Sequence, residues 1–276
     1  MKQASYFISM KNNAVKCKLC PHECEIMENQ SGICGVRINM DGVLYTKTYN
    51  QISSIAIDPI EKKPIRRYKP NTKILSVGTF GCNFKCGFCQ NYHISQLTPE
   101  LEEMSSNELL DISDRQKESI GIAFTYNEPT IWYEYIEETA RKNKKDTILV
   151  TNGFINKEPL LNLLPYINAM NIDLKSINPH FYERVCKGKL EPVMETIKTA
   201  HEQTHVELTF LSIPDLNDSM EEMKELSEWI ASVDKNIPLH IIPFRPMYKM
   251  NDTPYQTHEK IDKLKSIAFK YLSFVY

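Results

Sequence analysis

The chain of 276 residues lacks a surplus of either charge, with 33 lysines and arginines against 35 aspartates and glutamates and a formal charge of −2. No basic surface of the kind that grips nucleic acid through its phosphates can come from that balance. Long apolar runs are also missing, and nothing approaches the roughly 20 residues needed to cross a bilayer. The start, Met1-Lys2-Gln3-Ala4-Ser5, carries no apolar signal core. These absences point to a cytoplasmic protein with neither nucleic acid nor membrane as a partner. No internal repeat or low-complexity tract is visible, and the length allows one large α/β domain or one domain with an appendage.

Cysteine is present and clustered. Of the eight cysteines, Cys17, Cys20, Cys24 and Cys34 form one group, Cys82, Cys86 and Cys89 another, and Cys186 stands alone. In an intracellular protein of this size such grouping indicates metal or cluster ligation rather than disulfides.

From about residue 72 short β-branched runs alternate with longer helical patterns, as a parallel sheet with crossover helices requires. Six strands are expected: Lys73 to Val77, Ile120 to Thr125, Thr147 to Val150, Ala169 to Asp173, His205 to Leu211, and Leu239 to Ile242. Helices are expected at about Ser105 to Lys117, Pro129 to Lys142, Lys157 to Leu164, Leu190 to Gln203, Asp218 to Val233 and Thr257 to Tyr271. Ser105 with Glu108 makes a capping box, and Pro129 and Pro159 suit first-turn positions. Repeated βα units build either an open doubly wound sheet or a complete or partial barrel, and pattern alone does not choose. In both, ligands gather at the carboxyl ends of the strands.

Residues 1–70 read as a cysteine-rich appendage with a hairpin through Asp41-Gly42 and a strand from Val43 to Thr48, residues 71–245 as the α/β body, and 246–276 as a helix with a terminal strand. The short apolar runs before residue 70 form little core unaided, so a metal staple is expected there. The end, Phe274-Val275-Tyr276, fits a shortened chain or a strand closing the sheet.

Polar groups follow the strands one after another: the loop Gly81-Cys82-Asn83-Phe84-Lys85-Cys86-Gly87-Phe88-Cys89-Gln90-Asn91, then Tyr126-Asn127-Glu128-Pro129, Thr151-Asn152-Gly153, Asp173-Leu174-Lys175 and Pro243-Phe244-Arg245. One site fed by several strands explains them together. Singly, each has a plainer reading: Asn152-Gly153 as a turn, Glu128-Pro129 as a helix start with an acid near its N-terminus, and Asp173 with Lys175 as a structural ion pair. The cysteine loop resists such a reading. Three thiolates are one short of what a four-iron cluster needs, so the loop suits a 4Fe-4S centre with one iron open. Zinc is the rival, with His93 as its fourth ligand. The N-terminal four suffice for a closed site, either zinc or an iron-sulfur cluster, with His22 as a turn residue. Cys186 is either an inert buried thiol or, on the site face, a hydrogen donor or ligand. His240 either lines the pocket or is a buried hydrogen-bonded histidine.

Cys82-x3-Cys86-x2-Cys89 with Phe88 before the last cysteine resembles the signature of the radical S-adenosylmethionine enzymes. Within them the chain is similar to the AmmeMemoRadiSam-system radical enzymes, relatives of pyruvate formate-lyase activating enzyme, through Cys17 to Cys24, Asp58-Pro59-Ile60-Glu61-Lys62-Lys63-Pro64, Phe124 to Pro129, Asn171 to Lys175 and Ile213 to Asp218. The match runs from Cys17 to Tyr276. It implies a partial six-unit (β/α) TIM-like barrel with the small N-terminal cysteine-rich appendage.

By the resemblance, Cys82, Cys86 and Cys89 hold three irons while S-adenosylmethionine chelates the fourth. Tyr126-Asn127-Glu128-Pro129 takes the place of a Gly-Gly-Glu-Pro stretch that meets the methionine amino group, with Asn127 and Glu128 as binding residues and Tyr and Asn in place of both glycines. Asn152, Asp173 and Lys175 stand near the ribose and carboxylate. The implied activity is reductive cleavage to methionine and a 5′-deoxyadenosyl radical, which abstracts hydrogen from a substrate the sequence does not identify. A ferredoxin or flavodoxin would donate the electron, and AMMECR1-type and Memo-type proteins are the implied associates. A glycyl-radical activase is an alternative, although such enzymes often carry extra cysteines after the cluster loop, whereas here they precede it. A non-catalytic electron or metal carrier and a zinc-stabilised interaction module are the readings outside catalysis.

Overall fold

The apolar runs become parallel strands at Lys73–Gly78, Ser119–Phe124, Asp146–Thr151, Ala169–Asp173, His205–Ser212 and Leu239–Pro243 in a computed structural model that describes residues 1–276. Parallel neighbours need long crossovers, and the chain returns through helices at Ser106–Arg115, Tyr133–Lys142, Lys157–Leu163, Leu190–His201 and Met220–Asp234, with a last helix at His258–Ala268. The capping box forms as its residues require, Ser105 and Glu108 each receiving a backbone N–H from the other. Pro129 opens a short 3-10 turn, Pro129–Trp132, leading into the second helix. No helix is long and apolar enough to cross a membrane.

The strands lie side by side in their order along the chain. A doubly wound sheet reverses that order at a switch point. Here there is none, and the sheet is a curled half-barrel. It has seven strands rather than six, because Ser54–Pro59 pairs antiparallel with Lys73–Gly78, Ser54 opposite Gly78 and Pro59 opposite Lys73. The sheet thus begins before residue 70, inside the segment expected to be appendage, and this strand covers an otherwise unpaired edge. The far edge is covered too: Leu239 N–H donates to the Phe274 carbonyl (3.0 Å) and Ile241 N–H to that of Tyr276 (2.9 Å).

The inner face is built in layers, because alternate residues of each strand point the same way. At its foot Ile74, Ala123, Ile148 and Ala169 pack on Ile60 and Ile65, which plug the half-barrel from below. The plug is also held by polar groups. Asn171 donates to the Pro64 carbonyl (2.8 Å), and the Glu207 carboxylate accepts from the backbone N–H of Arg66 (2.9 Å) and Arg67 (2.7 Å). His240 belongs to this foot, bonded to Glu207 at 2.6 Å, and does not line the pocket.

The expected hairpin forms, Arg37–Met40 pairing with Val43–Thr46 across Asp41 and Gly42, both at positive φ as a tight primed turn demands. The N-terminal residues are not a separate body: Val15, Leu19, Ile26 and Leu44 share one buried cluster with Phe124, Leu149 and Phe210. A buried ion pair fastens them. Arg37 and Glu134, 1% and 3% exposed, meet through both carboxylate oxygens at 2.7 and 2.9 Å, and Glu134 also accepts the Ser5 N–H at 2.7 Å.

Glu134→Ala strands a buried guanidinium and is expected to cost about 3–5 kcal/mol of stability. Denaturant midpoints check this, and a cost under about 1 kcal/mol would show the clamp to be dispensable. A second expectation concerns acid. Burial opposes the Glu207 charge, but His205, His240 and the two backbone N–H groups outweigh it and hold the carboxyl at about 2, below its ordinary 4.5. The stability it contributes is complete above about 4.5 and is lost as pH falls through about 2. Glu207→Gln should therefore flatten the acid limb of a stability profile. An unchanged limb would contradict the assignment.

Candidate active site

Above the plug the strand ends enclose a cavity of about 630 Å³, a volume typical of small-molecule sites. Cys82, Cys86 and Cys89 line it together with Asn127, Glu128, Asn152, Asp173 and Lys175. Every cofactor-binding residue expected from the sequence thus reaches one space, because each stands where a parallel strand ends.

The loop that carries the cysteines is fixed to the neighbouring strand ends by amides. Asn127 accepts the Thr79 N–H and donates to the Gly81 carbonyl, both at 3.0 Å. Asn152 donates to Asn83 Oδ1 at 2.8 Å and approaches Cys82 Sγ at 3.8 Å, while Asn83 donates to the Phe154 carbonyl at 2.8 Å. Glu128 joins the second and third strands: its carboxylate accepts from Thr151 Oγ1 (2.7 Å), Asn152 N–H (2.7 Å) and Thr130 N–H (2.9 Å). Burial nonetheless pushes its carboxyl above the usual range. Gly81, at φ +85°, is demanded by close approach, since a Cβ there would lie 2.5 Å from Val36 and 2.8 Å from the Cys34 carbonyl.

Asp173 and Lys175 form an ion pair at 2.8 Å, as the plainer reading had it, yet both face the cavity. Burial disfavours the Lys175 ammonium, but Asp173, with Cys86 and Cys186, more than offsets this and keeps it charged. The ammonium lies 5.6 Å from the centre of the Phe88 ring. The neighbouring Cys186 thiol, together with burial, raises the Cys86 thiol well above the ordinary range. Cys186 does not line the cavity. It is fully buried, the π-turn Tyr182–Cys186 and left-handed Lys187 turning it into the core, which fits the inert buried thiol of its two expected readings.

Burial raises the Cys82 and Cys89 thiols as well, so a cation is needed to draw off their protons. No three His, Cys, Asp or Glu side chains converge as around a single ion. His93, the expected fourth ligand of a zinc site, is exposed and does not line the cavity. Three thiols on an open cavity with no fourth side chain fit an iron-sulfur cluster whose remaining corner takes a ligand from outside the protein.

Sequence reasoning missed a further polar group in the cavity wall. Asp58 accepts from Lys62 (3.0 Å), Lys63 (2.8 Å) and the Tyr126 hydroxyl (2.9 Å), and all four side chains line the cavity. Burial disfavours the Asp58 charge, but these three donors hold its carboxyl well below the usual range. Tyr126 stands at φ +73°, the left-handed region that glycine adopts freely. The signal was present in Asp58-Pro59-Ile60-Glu61-Lys62-Lys63-Pro64, but only the antiparallel edge strand brings that segment to Tyr126.

A family model described as the radical SAM superfamily matches residues 76–230. That is more than half of the chain, and the chain belongs to the radical SAM superfamily. An uncharacterized protein of Methanocaldococcus jannaschii is 39% identical over 285 residues, spanning 100% of this chain and 84% of its own. A second protein of that archaeon, whose name assigns it provisionally to the glycyl-radical enzyme activating enzymes, is 30% identical over 213 residues, covering 71% of this chain and 77% of its own. A radical SAM methyltransferase from Sphaerobacter thermophilus shares the fold at TM-score 0.58 and 14% identity, over 76% of this chain and 67% of that one. Membership of the superfamily implies a 4Fe-4S cluster and S-adenosylmethionine as the groups this cavity receives.

Asn152→Ala removes the amide that holds Asn83 and touches Cys82. Loss of such a supporting contact should lower cluster retention or turnover by about 10–100-fold with the fold intact. Iron analysis after desalting, beside circular dichroism, decides. Full retention and full turnover would show the amide network to be idle.

Proposed function

We propose that this chain reductively cleaves S-adenosylmethionine and uses the product radical on a separate substrate. The observation that supports the reading best is the convergence of three cysteine thiols, without a fourth protein ligand, on a cavity that also presents two carboxylates, two amides and an ammonium at successive strand ends. When bound, the reduced cluster and S-adenosylmethionine supply a 5′-deoxyadenosyl radical, the hydrogen-abstracting species.

The chain's own residues hold and shield these groups. Cys82, Cys86 and Cys89 ligate the cluster. Asn127 and Glu128 fix the strand end beside the loop, and Asn152 and the Asp173–Lys175 pair offer hydrogen bonds and charge to the polar parts of the cofactor. Phe88, Leu211 and Ile242 supply apolar wall that keeps water away from a reactive intermediate. A low-potential ferredoxin or flavodoxin is the proposed electron donor. The quoted motifs support the AmmeMemoRadiSam branch, with AMMECR1-type and Memo-type proteins as proposed associates and the cytoplasm as proposed location.

A glycyl-radical activase is the second reading, favoured by the 30% identical relative named for that activity. It predicts a glycine-centred radical on a partner enzyme after incubation with this protein. The test of the first reading is anaerobic reconstitution with iron and sulfide, reduction with dithionite, addition of S-adenosylmethionine and assay of 5′-deoxyadenosine. Wild type should form it and Cys86→Ala should fall to background. Equal product from both would end the proposal.

A further inference from the structure

Cys17, Cys20, Cys24 and Cys34 line a small separate cavity with Arg37, of about 10 Å³, room for about one water. The large cavity, by contrast, holds charged groups that the cofactor leaves unused. Three carboxylates and three ammoniums line it, Asp58, Glu128 and Asp173 against Lys62, Lys63 and Lys175. Two of the carboxylates are accounted for. Asp173 takes Lys175 at 2.8 Å, and Glu128 is filled by the Thr151 hydroxyl and the N–H groups of Asn152 and Thr130. Asp58 is left with two ammoniums, Lys62 at 3.0 Å and Lys63 at 2.8 Å, so one positive charge stands in excess there.

That surplus is built into the wall. The Lys63 side chain is 4% exposed and that of Asp58 8%. An ammonium has three donors, of which Lys63 gives the protein one, to Asp58 Oδ2, while the Tyr126 ring centre lies 4.5 Å from its Nζ. No other protein acceptor is within hydrogen-bond reach of it. Donors already immobilised in this way lose little freedom when a ligand arrives, and so favour its binding. Lys62 is more exposed, but Asp58 Oδ1 draws a second ammonium to the same place. The Tyr126 hydroxyl holds the carboxylate between them at 2.9 Å. These side chains come from the edge strand and the plug and from the turn beside Glu128, apart from the Asn152 and Asp173–Lys175 strand ends assigned to the cofactor.

We propose that Lys62 and Lys63, set in place by Asp58 and Tyr126, form a subsite for an anionic group of the substrate, a carboxylate or a phosphoryl group. This deepens the function proposed above and rests on it. The chemistry shared by the two groups is a compact cluster of oxygens that accepts from ammonium donors acting as point charges.

The test is anion binding to the reconstituted full chain with its cluster oxidised and S-adenosylmethionine saturating. The cofactor's own carboxylate site is then filled, and nothing turns over. Calorimetric titration with inorganic phosphate, and separately with succinate, distinguishes the two sources. At least one should bind saturably, and the preferred anion assigns the group as phosphoryl or carboxylate. Its affinity should fall about 10-fold or more in Lys62→Gln and in Lys63→Met, as loss of a charge-assisted hydrogen bond implies. If Lys63→Met does not fold, Lys62→Gln decides, because that side chain is 69% exposed. Wild type that binds neither anion would overturn the proposal. So would variants that melt at a lower temperature yet keep wild-type anion affinity, since the lysines would then only brace the plug. Failure of the catalytic reading looks different: wild type would form no 5′-deoxyadenosine, whichever anion it binds.

Discussion

The site depends on the buried Glu128 carboxylate and the amides around it. Glu128 ties the second strand end to the third through Thr151 and Asn152, Asn152 passes the connection to Asn83, and Asn127 holds the first residues of the cysteine loop. In a dry interior such bonds are strong when complete and costly when broken. The loop has only three covalent points of attachment to offer a cluster, so its backbone must be placed beforehand. These side chains do that placing.

The same logic extends outward. The floor of the cavity is the plug at Ile60 to Arg67, held by Glu207 and Asn171, and the edge strand carrying Asp58 adds part of its wall. The N-terminal segment closes the side, clamped on the second helix by Arg37 and Glu134. Arg37 therefore stands in two roles, as half of a buried ion pair and as part of the wall around four thiols.

Much of this was legible beforehand. The β-branched runs marked all six parallel strands, since the strands are buried on both faces and read as continuous apolar stretches. That Cys82, Cys86, Cys89, Asn127, Glu128, Asn152, Asp173 and Lys175 would face one cavity was legible because each follows a strand end. The misses share a cause. Ser54–Pro59 is half exposed and antiparallel, so it lacks the apolar run of its neighbours. His240 and Cys186 were each left between the cavity and the buried interior, and the structure puts the first at the foot of its strand, bonded to Glu207, and the second in the core beyond a π-turn. Strand position is readable from sequence, whereas the direction of a side chain beyond the strand is set by local backbone geometry.

The amino-acid order by itself determined the alternation of strand and helix, the two cysteine groups and the polar ends of the strands, because periodicity and spacing are local properties. Tertiary structure alone decided that the strands curl in sequence order, that Tyr126 reaches Asp58 and Lys63 from a distant segment, and that Arg37 keeps one N–H unpaired in a cavity it lines with four cysteines. Those outcomes depend on which surfaces pack together, and packing joins residues that the sequence keeps far apart.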